Sequence, residues 1–321
     1  MEKKPLVVVN GLVRKDAIAY LKEHVDVRQW TEKTVMPREV LKEWLIDADG
    51  LWCVRPLDVD GDLVKNAPNL KVIAQAAVGY DNVNIYELTA AGIPYGNTPG
   101  VLNETVAELA FTLIATASRR IIENANFVKD GRWAQRPSNI KGFDLSRRTL
   151  GIIGMGAIGV SISRRARAFG MTVVYHNRNQ RLDDKIHKTT YMELDDLLAI
   201  SDVVCVMAPL TDETYHMCDE AFFKKMKNTA LFVNVGRGPI VDTDALINAL
   251  KTGEIDYAAL DVTDPEPLPA DHPLLDVENC LIVPHIGSYT DRTRYDMSIL
   301  TADNIIAGVH KKIGRASCRE R

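Results

Sequence analysis

Four glycines fall within nine residues, Gly151-Ile-Ile-Gly-Met-Gly-Ala-Ile-Gly159, and their flanks constrain what this chain can fold into. Before them, Thr149–Ile153 is short and apolar, as a buried strand is. After them, Ile158, Ile162, Ala166 and Phe169 recur at helical spacing, Gly170 stops the run, and Met171–His176 reads as a second strand. A strand, glycine turn, helix and strand within about 30 residues form the context of a dinucleotide-binding fingerprint. Gly154 permits the tight turn, Gly156 admits a pyrophosphate to the backbone, and Gly159 lets the helix pack on the strand. The helix start at Ala157 and Ile158 offers free N–H groups and a partial positive charge to phosphates.

The 321 residues suggest two domains, and 46% hydrophobic with 26% charged residues is ordinary globular composition. The net charge of −4 supplies no basic field for nucleic acid. No window of 18 apolar residues is present, so no membrane span is expected, and the opening MEKKPLVVVN is too short in apolar residues for a signal peptide. Five cysteines (Cys53, Cys205, Cys218, Cys280 and Cys318) show no metal-type pairing. Cys53, Cys205 and Cys280 lie in or beside apolar runs and read as buried thiols, which fits a reducing, cytoplasmic setting.

Strand and helix patterns alternate along the first hundred residues: strands at Leu6–Val9, Val25–Trp30, Gly50–Val54, Leu70–Val78 and Ile93–Asn97, with helices at Lys15–Lys22, Arg38–Ile46 and Asn84–Ala91. A single long helix is expected from about Glu104 to Val128, connecting domains or packing on a second subunit. The glycine loop then begins a fresh series, with later strands at Val203–Met207, Ala230–Val235, Tyr257–Val262 and Leu281–Val283. A last helix, Thr293–Val309, could return to the first domain. The expected fold is α/β, with two Rossmann-like parallel-sheet domains. A dinucleotide-binding domain (102–287) is inserted in a smaller, flavodoxin-like substrate domain (1–101 and 288–311). The final residues, 312–321, lose the apolar pattern, resemble a translated sequencing adapter, and are expected to be a non-native tail.

Ligands of open parallel sheets bind beyond the carboxyl ends of the strands. In the second half those positions hold Ala208-Pro209, Gly236-Arg237-Gly238, Asp261 through Pro267, and His285. A guanidinium fork at Arg237 suits a carboxylate beside a carbonyl. His285 is the residue of these segments that naturally titrates near neutrality, which suits it to general acid/base work. Glu266, hydrogen-bonded to that ring, would favour its protonated form.

Asn234-Val-Gly-Arg-Gly-Pro-Ile-Val-Asp242, Asp264-Pro-Glu-Pro267 and Val283-Pro-His-Ile-Gly-Ser288, with the glycine loop and Val78-Gly-Tyr-Asp-Asn82, resemble the D-isomer-specific 2-hydroxyacid dehydrogenases over roughly residues 45 to 310. The resemblance implies His285 as acid/base, Glu266 as its partner and Arg237 as substrate clamp. It also implies a second carboxylate site at the N–H groups of Val78 and Gly79. Substrate contacts are further expected at Ser288 and Arg55. Expected cofactor residues are Gly154, Gly156, Ala157, Ile158, Gly159, Asn177, Arg178, Ala208, Pro209, Thr214, Val235, Gly236, Arg237, Asp261, His285 and Gly287. No metal is expected.

Within the family, Leu210–Thr214 and the stretch Asn234–Asp261 are most similar to glyoxylate/hydroxypyruvate reductases, including those that reduce 2-ketogluconate. A 3-phosphoglycerate dehydrogenase-like enzyme stays open because of Val54-Arg55, and so does a dinucleotide-binding transcriptional co-repressor. The acid that usually ends the second strand is missing near Asn177, and Arg178 follows, with Arg181 three residues on. That favours NADPH, with NADH possible. Arg136, where such reductases often carry an aromatic, would make a neighbouring pocket more polar. A homodimer acting on small 2-oxo or 2-hydroxy acids is expected.

Overall fold

The computed structural model describes Lys3–His310 and residues 318–319. Most of the expected non-native tail therefore lies outside the described residues. The chain forms two compact units, residues 1–102 with 290–321, and 103–289, so the second is inserted in the chain of the first.

The first unit runs β1 (Leu6–Val9), α1 (Lys15–His24), β2 (Asp26–Gln29), α2 (Arg38–Leu45), β3 (Gly50–Cys53), α3 (Gly61–Val64), β4 (Val72–Gln75), α4 (Ile85–Ala90) and β5 (Tyr95–Gly96). The second holds α5 (Asn103–Ser118), α6 (Ile121–Lys129), β6 (Thr149–Ile153), α7 (Ala157–Ala168), β7 (Thr172–His176), α8 (Asp184–His187), β8 (Thr190–Tyr191), α9 (Leu194–Ile200), β9 (Val203–Val206), α10 (Glu220–Lys225), β10 (Leu231–Asn234), α11 (Thr243–Thr252), β11 (Tyr257–Leu260) and β12 (Cys280–Ile282). The chain then re-enters the first unit with α12 (Asp291–Val309) and β13 (Cys318–Arg319).

In the first unit the sheet order is β13-β5-β4-β3-β1-β2, parallel except for the β13 pairing. Without β13 this is the 2-1-3-4-5 order of flavodoxin-like folds. β-branched runs such as Val7–Val9 are fully buried because helices cover both faces of the sheet. Val8, Leu51 and Ile73 pack under α2 and α3, while Val7, Val9 and Val72 pack against α1 and α12. Side chains of Asp60, Asn84 and Thr290 cap α3, α4 and α12.

The second sheet is parallel throughout, in the order β12-β11-β10-β9-β6-β7-β8. Counted from β6, this is the 3-2-1-4-5-6 order of a dinucleotide-binding fold with one strand added. α5 lays Ala107, Ala110, Phe111 and Ile114 on one face with α7, and Phe222, Phe223, Leu246 and Leu250 cover the other. The order reverses between β6 and β9, where the glycine loop lies.

The expected single helix over 104–128 is instead two, α5 and α6. Three features stop α5. Phe143 donates its N–H to Ser118 O at 2.7 Å, taking a carbonyl that a continuing helix needs. Arg120 adopts a left-handed backbone, with φ of 50°. Its side chain turns back to pair with Asp256 at 2.8 Å and stacks 4.0 Å from the Tyr257 ring centre. Tertiary contacts thus override a continuous apolar pattern. Cys280, expected as buried, is partly exposed, whereas Cys218 joins Cys53 and Cys205 in the core.

Close packing of α12 gives a direct test. A methyl group on Gly308 would overlap Val72, whose Cβ cannot move without its strand. Alanine favours a helix by about 1 kcal/mol over glycine, but overpacking costs typically 1–3 kcal/mol. Gly308→Ala should therefore lower stability in urea titrations; an unchanged or raised midpoint would contradict this packing.

Candidate active site

The glycine loop is anchored at its entry, where Gly154 N–H donates to His176 O at 3.0 Å. Gly154 has φ of +99°, and an added Cβ there would lie 2.5 Å from Ala208 N, so the turn also needs the close approach of the segment after β9. A Cβ on Gly159 would press on Gly154 O at 2.9 Å. Gly156 differs: a Cβ there would meet nothing within 4 Å. Two of the glycines are therefore required by the protein's own packing, and the middle one borders open space. No side chain caps α7, so the N–H groups at Ala157 and Ile158 are presented at an uncapped helix start. These residues fit a dinucleotide pyrophosphate.

At the end of β7, Asn177 Oδ1 accepts the Met155 N–H at 2.6 Å. That leaves the amide NH2 of Asn177 as its donor side. Arg178 is exposed. Arg181, expected as a further phosphate cation, is instead committed within the protein: it forks onto Asp183 and donates to Met155 O. On the other flank, Thr214 Oγ1 donates to Pro209 O at 2.7 Å and accepts Thr211 N–H at 2.8 Å, which folds the segment after Ala208 into a compact turn.

β10 delivers Arg237. The buried Asn234 side chain accepts Gly236 N–H at 3.0 Å and donates to Arg237 O at 2.9 Å, shaping the turn after Val235. Arg237 Nη1 donates to Gly236 O at 2.8 Å. A side chain on Gly238 would overlap the Thr263 carbonyl, so this turn lies directly against the loop that follows β11.

That loop carries Glu266, and β12 leads to His285. His285 Nδ1 and Glu266 Oε1 are 2.6 Å apart. Burial raises the Glu266 carboxyl, but the hydrogen bond and charge interaction with His285, the backbone hydrogen bond from Thr263 and the charge of Arg237 together outweigh it; the net shift is downward. Arg237, Glu266 and His285 are thus one electrostatic cluster. His285 is in the left-handed region with φ of 51°. Its turn is tied to Asp261, which is 2% exposed. Asp261 O accepts His285 N–H at 2.9 Å, Oδ1 accepts Ile286 N–H at 2.7 Å, and Oδ2 accepts Gly287 N–H at 3.0 Å. Expected as a cofactor contact, Asp261 has both carboxylate oxygens engaged by the histidine turn. Ser288 follows in that turn, partly exposed.

Val78, Gly79 and Arg55 belong to the first unit. Asn97 Nδ2 donates to Val78 O at 3.0 Å, fixing the segment after β4. Arg55 pairs with Asp81 at 3.1 Å, so the arginine and the Val78-Gly79 segment are held on one side of their sheet. Gln75 and Asn82 complete this arrangement: Asn82 Nδ2 donates to Gln75 Oε1 at 3.1 Å and to Leu57 O at 2.6 Å. The roles of Asn234, Gln75 and Asn82 were not read from sequence; a polar side chain at the very end of a buried strand was the available signal for Asn234 and Gln75. Arg136 is exposed, with its guanidinium 5.9 Å from the Phe127 ring centre. Among the described residues no cluster of His, Cys, Asp or Glu could hold a metal.

A doubly wound sheet with a glycine turn at its switch point, and an Arg–Glu–His cluster beyond neighbouring strands, defines a dinucleotide-dependent dehydrogenase. Residues 111–287 match the family model for the D-isomer specific 2-hydroxyacid dehydrogenase, NAD binding domain. The chain is 41% identical over 307 residues to a glyoxylate reductase of Korarchaeum cryptofilum, covering 95% of this chain and 92% of that protein. It is 41% identical over 309 residues to the glyoxylate reductase/hydroxypyruvate reductase of Mus musculus, covering 94% of each. A crystal structure of an NADPH-dependent glyoxylate/hydroxypyruvate reductase from Sinorhizobium meliloti, in complex with NADP and malonate, superposes with a TM-score of 0.87 at 30% identity, covering 98% of this chain and 96% of that one. The chain belongs to the D-isomer-specific 2-hydroxyacid dehydrogenase family. It is an oxidoreductase that acts on CH–OH donors and interconverts 2-hydroxy and 2-oxo acids.

The open side of Gly156 separates folding from binding. Gly156→Ala should leave the thermal midpoint of the ligand-free protein unchanged while weakening cofactor about tenfold or more in a fluorescence titration. Equal binding by variant and parent would show that the cofactor does not approach this position.

Proposed function

We propose that this protein is an NADPH-preferring reductase that converts glyoxylate, hydroxypyruvate or 2-ketogluconate to the D-2-hydroxy acid. The observation that carries the reading is the 2.6 Å His285–Glu266 pair with Arg237 in its electrostatic field. Residues 102–287 would bind the dinucleotide, and residues 1–101 with 288–311 would form the substrate domain. The bound nicotinamide would supply a hydride to the carbonyl carbon. Arg237 would hold the substrate carboxylate through its fork of donors. Glu266 faces Nδ1 of His285, which leaves Nε2 to donate a proton to the oxygen that gains negative charge. Val78 and Gly79 N–H groups, Arg55 and Ser288 are assigned with Arg237 and His285 to substrate; the glycine loop with Ala157 and Ile158, Asn177, Arg178, Ala208, Pro209, Thr214, Val235, Gly236, Arg237, Asp261, His285 and Gly287 to cofactor.

The preference for NADPH is supported by the residues at the end of β7. No carboxylate stands at position 177 to repel a 2′-phosphate, Asn177 keeps its donors, and Arg178 is exposed. The Sinorhizobium relative is described as NADPH-dependent and holds NADP. A homodimer fits the apolar side chains that α6 and its following turn leave exposed: Ile121, Ile122, Val128 and Trp133. A cytoplasmic location fits the unpaired Cys53, Cys205, Cys218 and Cys280, and among the described residues no helix is long and apolar enough to cross a membrane.

Oxidation of NADPH and NADH against glyoxylate, hydroxypyruvate, 2-ketogluconate and 3-phosphohydroxypyruvate tests the whole reading; no turnover with the first three would sink it. Glu266→Gln removes the negative charge beside the ring, so the alkaline limb of the reduction profile should move to lower pH. An unmoved limb would remove Glu266 from proton supply.

Cofactor choice has its own variant. Arg178→Ala should weaken NADPH by roughly ten- to a hundredfold, the worth of a charge-assisted hydrogen bond, and leave NADH nearly unchanged. The measurement is kcat/KM for each cofactor at saturating glyoxylate and fixed ionic strength. Equal losses for both cofactors would contradict the assignment of Arg178 to the phosphate.

A further inference from the structure

Met155, between Gly154 and Gly156, is the one non-glycine residue at the centre of the loop. Its side chain is buried in the core beneath α7, and both of its peptide groups are bound by side chains from the segment after β7. Asn177 Oδ1 accepts its N–H at 2.6 Å, and Arg181 Nη1 donates to its carbonyl at 2.9 Å.

Arg181 is itself fixed by two partners, Tyr175 and Asp183. Its backbone N–H donates to the hydroxyl of the fully buried Tyr175 at 2.9 Å. Its Nε and Nη2 donate to the two oxygens of Asp183 at 2.8 and 2.7 Å. Asp183 in turn lies 3.1 Å from His187 Nε2, one turn along the same segment. The bidentate fork neutralises the guanidinium and aims Nη1 at Met155. Arg178, in contrast, is exposed and makes no ion pair within 4 Å among the described residues.

We infer that Arg181, held by Asp183, is a positioning residue that braces the glycine loop through the Met155 carbonyl, and is not a ligand of the cofactor's ribose or its phosphate. The inference rests on dinucleotide binding by the glycine loop, not on the preference for NADPH. It follows from where the donors go. A loop with glycines at both sides of Met155 has many backbone conformations, and ordering it at the moment of binding would weaken the complex. Hydrogen bonds to both Met155 peptide groups order it beforehand. Because the pyrophosphate is common to both cofactors, the brace must serve NADPH and NADH alike.

Titration calorimetry of the full-length protein with NADPH, and separately with NADH, tests this. Arg181→Ala should raise both dissociation constants by a similar factor, about tenfold for the loss of a charge-assisted hydrogen bond. KM for glyoxylate at saturating cofactor should hold, so that the defect appears in cofactor binding and not throughout the enzyme. Arg181→Lys, which keeps a donor but not the fork, should recover part of the loss for both cofactors. Asp183→Asn supplies the opposite-sign check: a brace weakened by losing its anchor loosens both cofactors, whereas a phosphate ligand freed from its counter-ion would bind NADPH more tightly. Loss confined to NADPH in Arg181→Ala, tighter NADPH in Asp183→Asn, or no change in either variant overturns the inference. Arg178→Ala, measured in parallel, reports on the NADPH preference alone, so the two readings fail separately.

Discussion

The Asp261 carboxylate is the constraint on which the His285 end of the site depends. It is almost wholly buried, and burial pushes its carboxyl upward against the opposing pull of the backbone hydrogen bonds it accepts. His285 carries a left-handed backbone, a conformation that costs a non-glycine residue roughly 1–3 kcal/mol and persists only where surroundings over-determine it. Here they do: three consecutive N–H groups, from His285 to Gly287, all end on Asp261. The turn is what carries the imidazole to within 2.6 Å of Glu266. Asp261 thus fixes the backbone from which the His285 imidazole projects.

The same device recurs at neighbouring strand ends. Asn234 closes the Arg237 turn by bonding Gly236 and Arg237, and Asn177 with Arg181 closes the glycine loop through Met155. In each case a side chain at or beyond the end of a buried strand satisfies backbone groups that no sheet ladder can reach. Loops built this way have their backbone groups satisfied although they lack secondary structure. Glycines then set how near the loops come to each other: Gly238 admits the Thr263 carbonyl, and Gly154 admits Ala208. Functional loops at the carboxyl edge of one parallel sheet therefore form a continuous, mutually supported rim.

Much of this was legible in the sequence because the signals are periodic. The two parallel sheets, the glycine loop's strand and helix, and the placement of Arg237, Glu266 and His285 after successive strands all follow from apolar runs and turn residues. The break between α5 and α6 was not legible. Residues 104–128 have a helical apolar pattern throughout, and what stops the helix is distant in sequence: Phe143 and Asp256. The partners of Arg181 were hidden for a related reason. A cation three residues after Arg178 looks like a second phosphate ligand until its partners are known, and one of them, the Met155 carbonyl, has no side-chain signature at all. Asp261 is expected to contact cofactor from its place at a strand end; the backbone N–H groups it also accepts are equally invisible in a sequence.

The charges around Arg178 bear on how strong a 2′-phosphate preference can be. Glu213 accepts from Thr211 Oγ1 at 2.7 Å, which lowers its carboxyl, and the field of Arg178 lowers it further. An arginine that already sees a carboxylate offers an incoming phosphate less than an isolated one would, and the same carboxylate repels the phosphate's negative charge. Both groups are exposed, so solvent and salt screen these interactions over about 10 Å at 0.1 M ionic strength. Discrimination on our proposal is consequently the difference between an attraction at Arg178 and a repulsion at Glu213, each graded by ionic strength. Contact is less screened than distance: a phosphate oxygen hydrogen-bonded to the guanidinium and to the Asn177 amide keeps most of its attraction, while Glu213 acts only through the field. On our proposal, added salt should thus weaken the repulsion before the attraction, and a preference for NADPH that rests on direct contacts would persist as ionic strength rises.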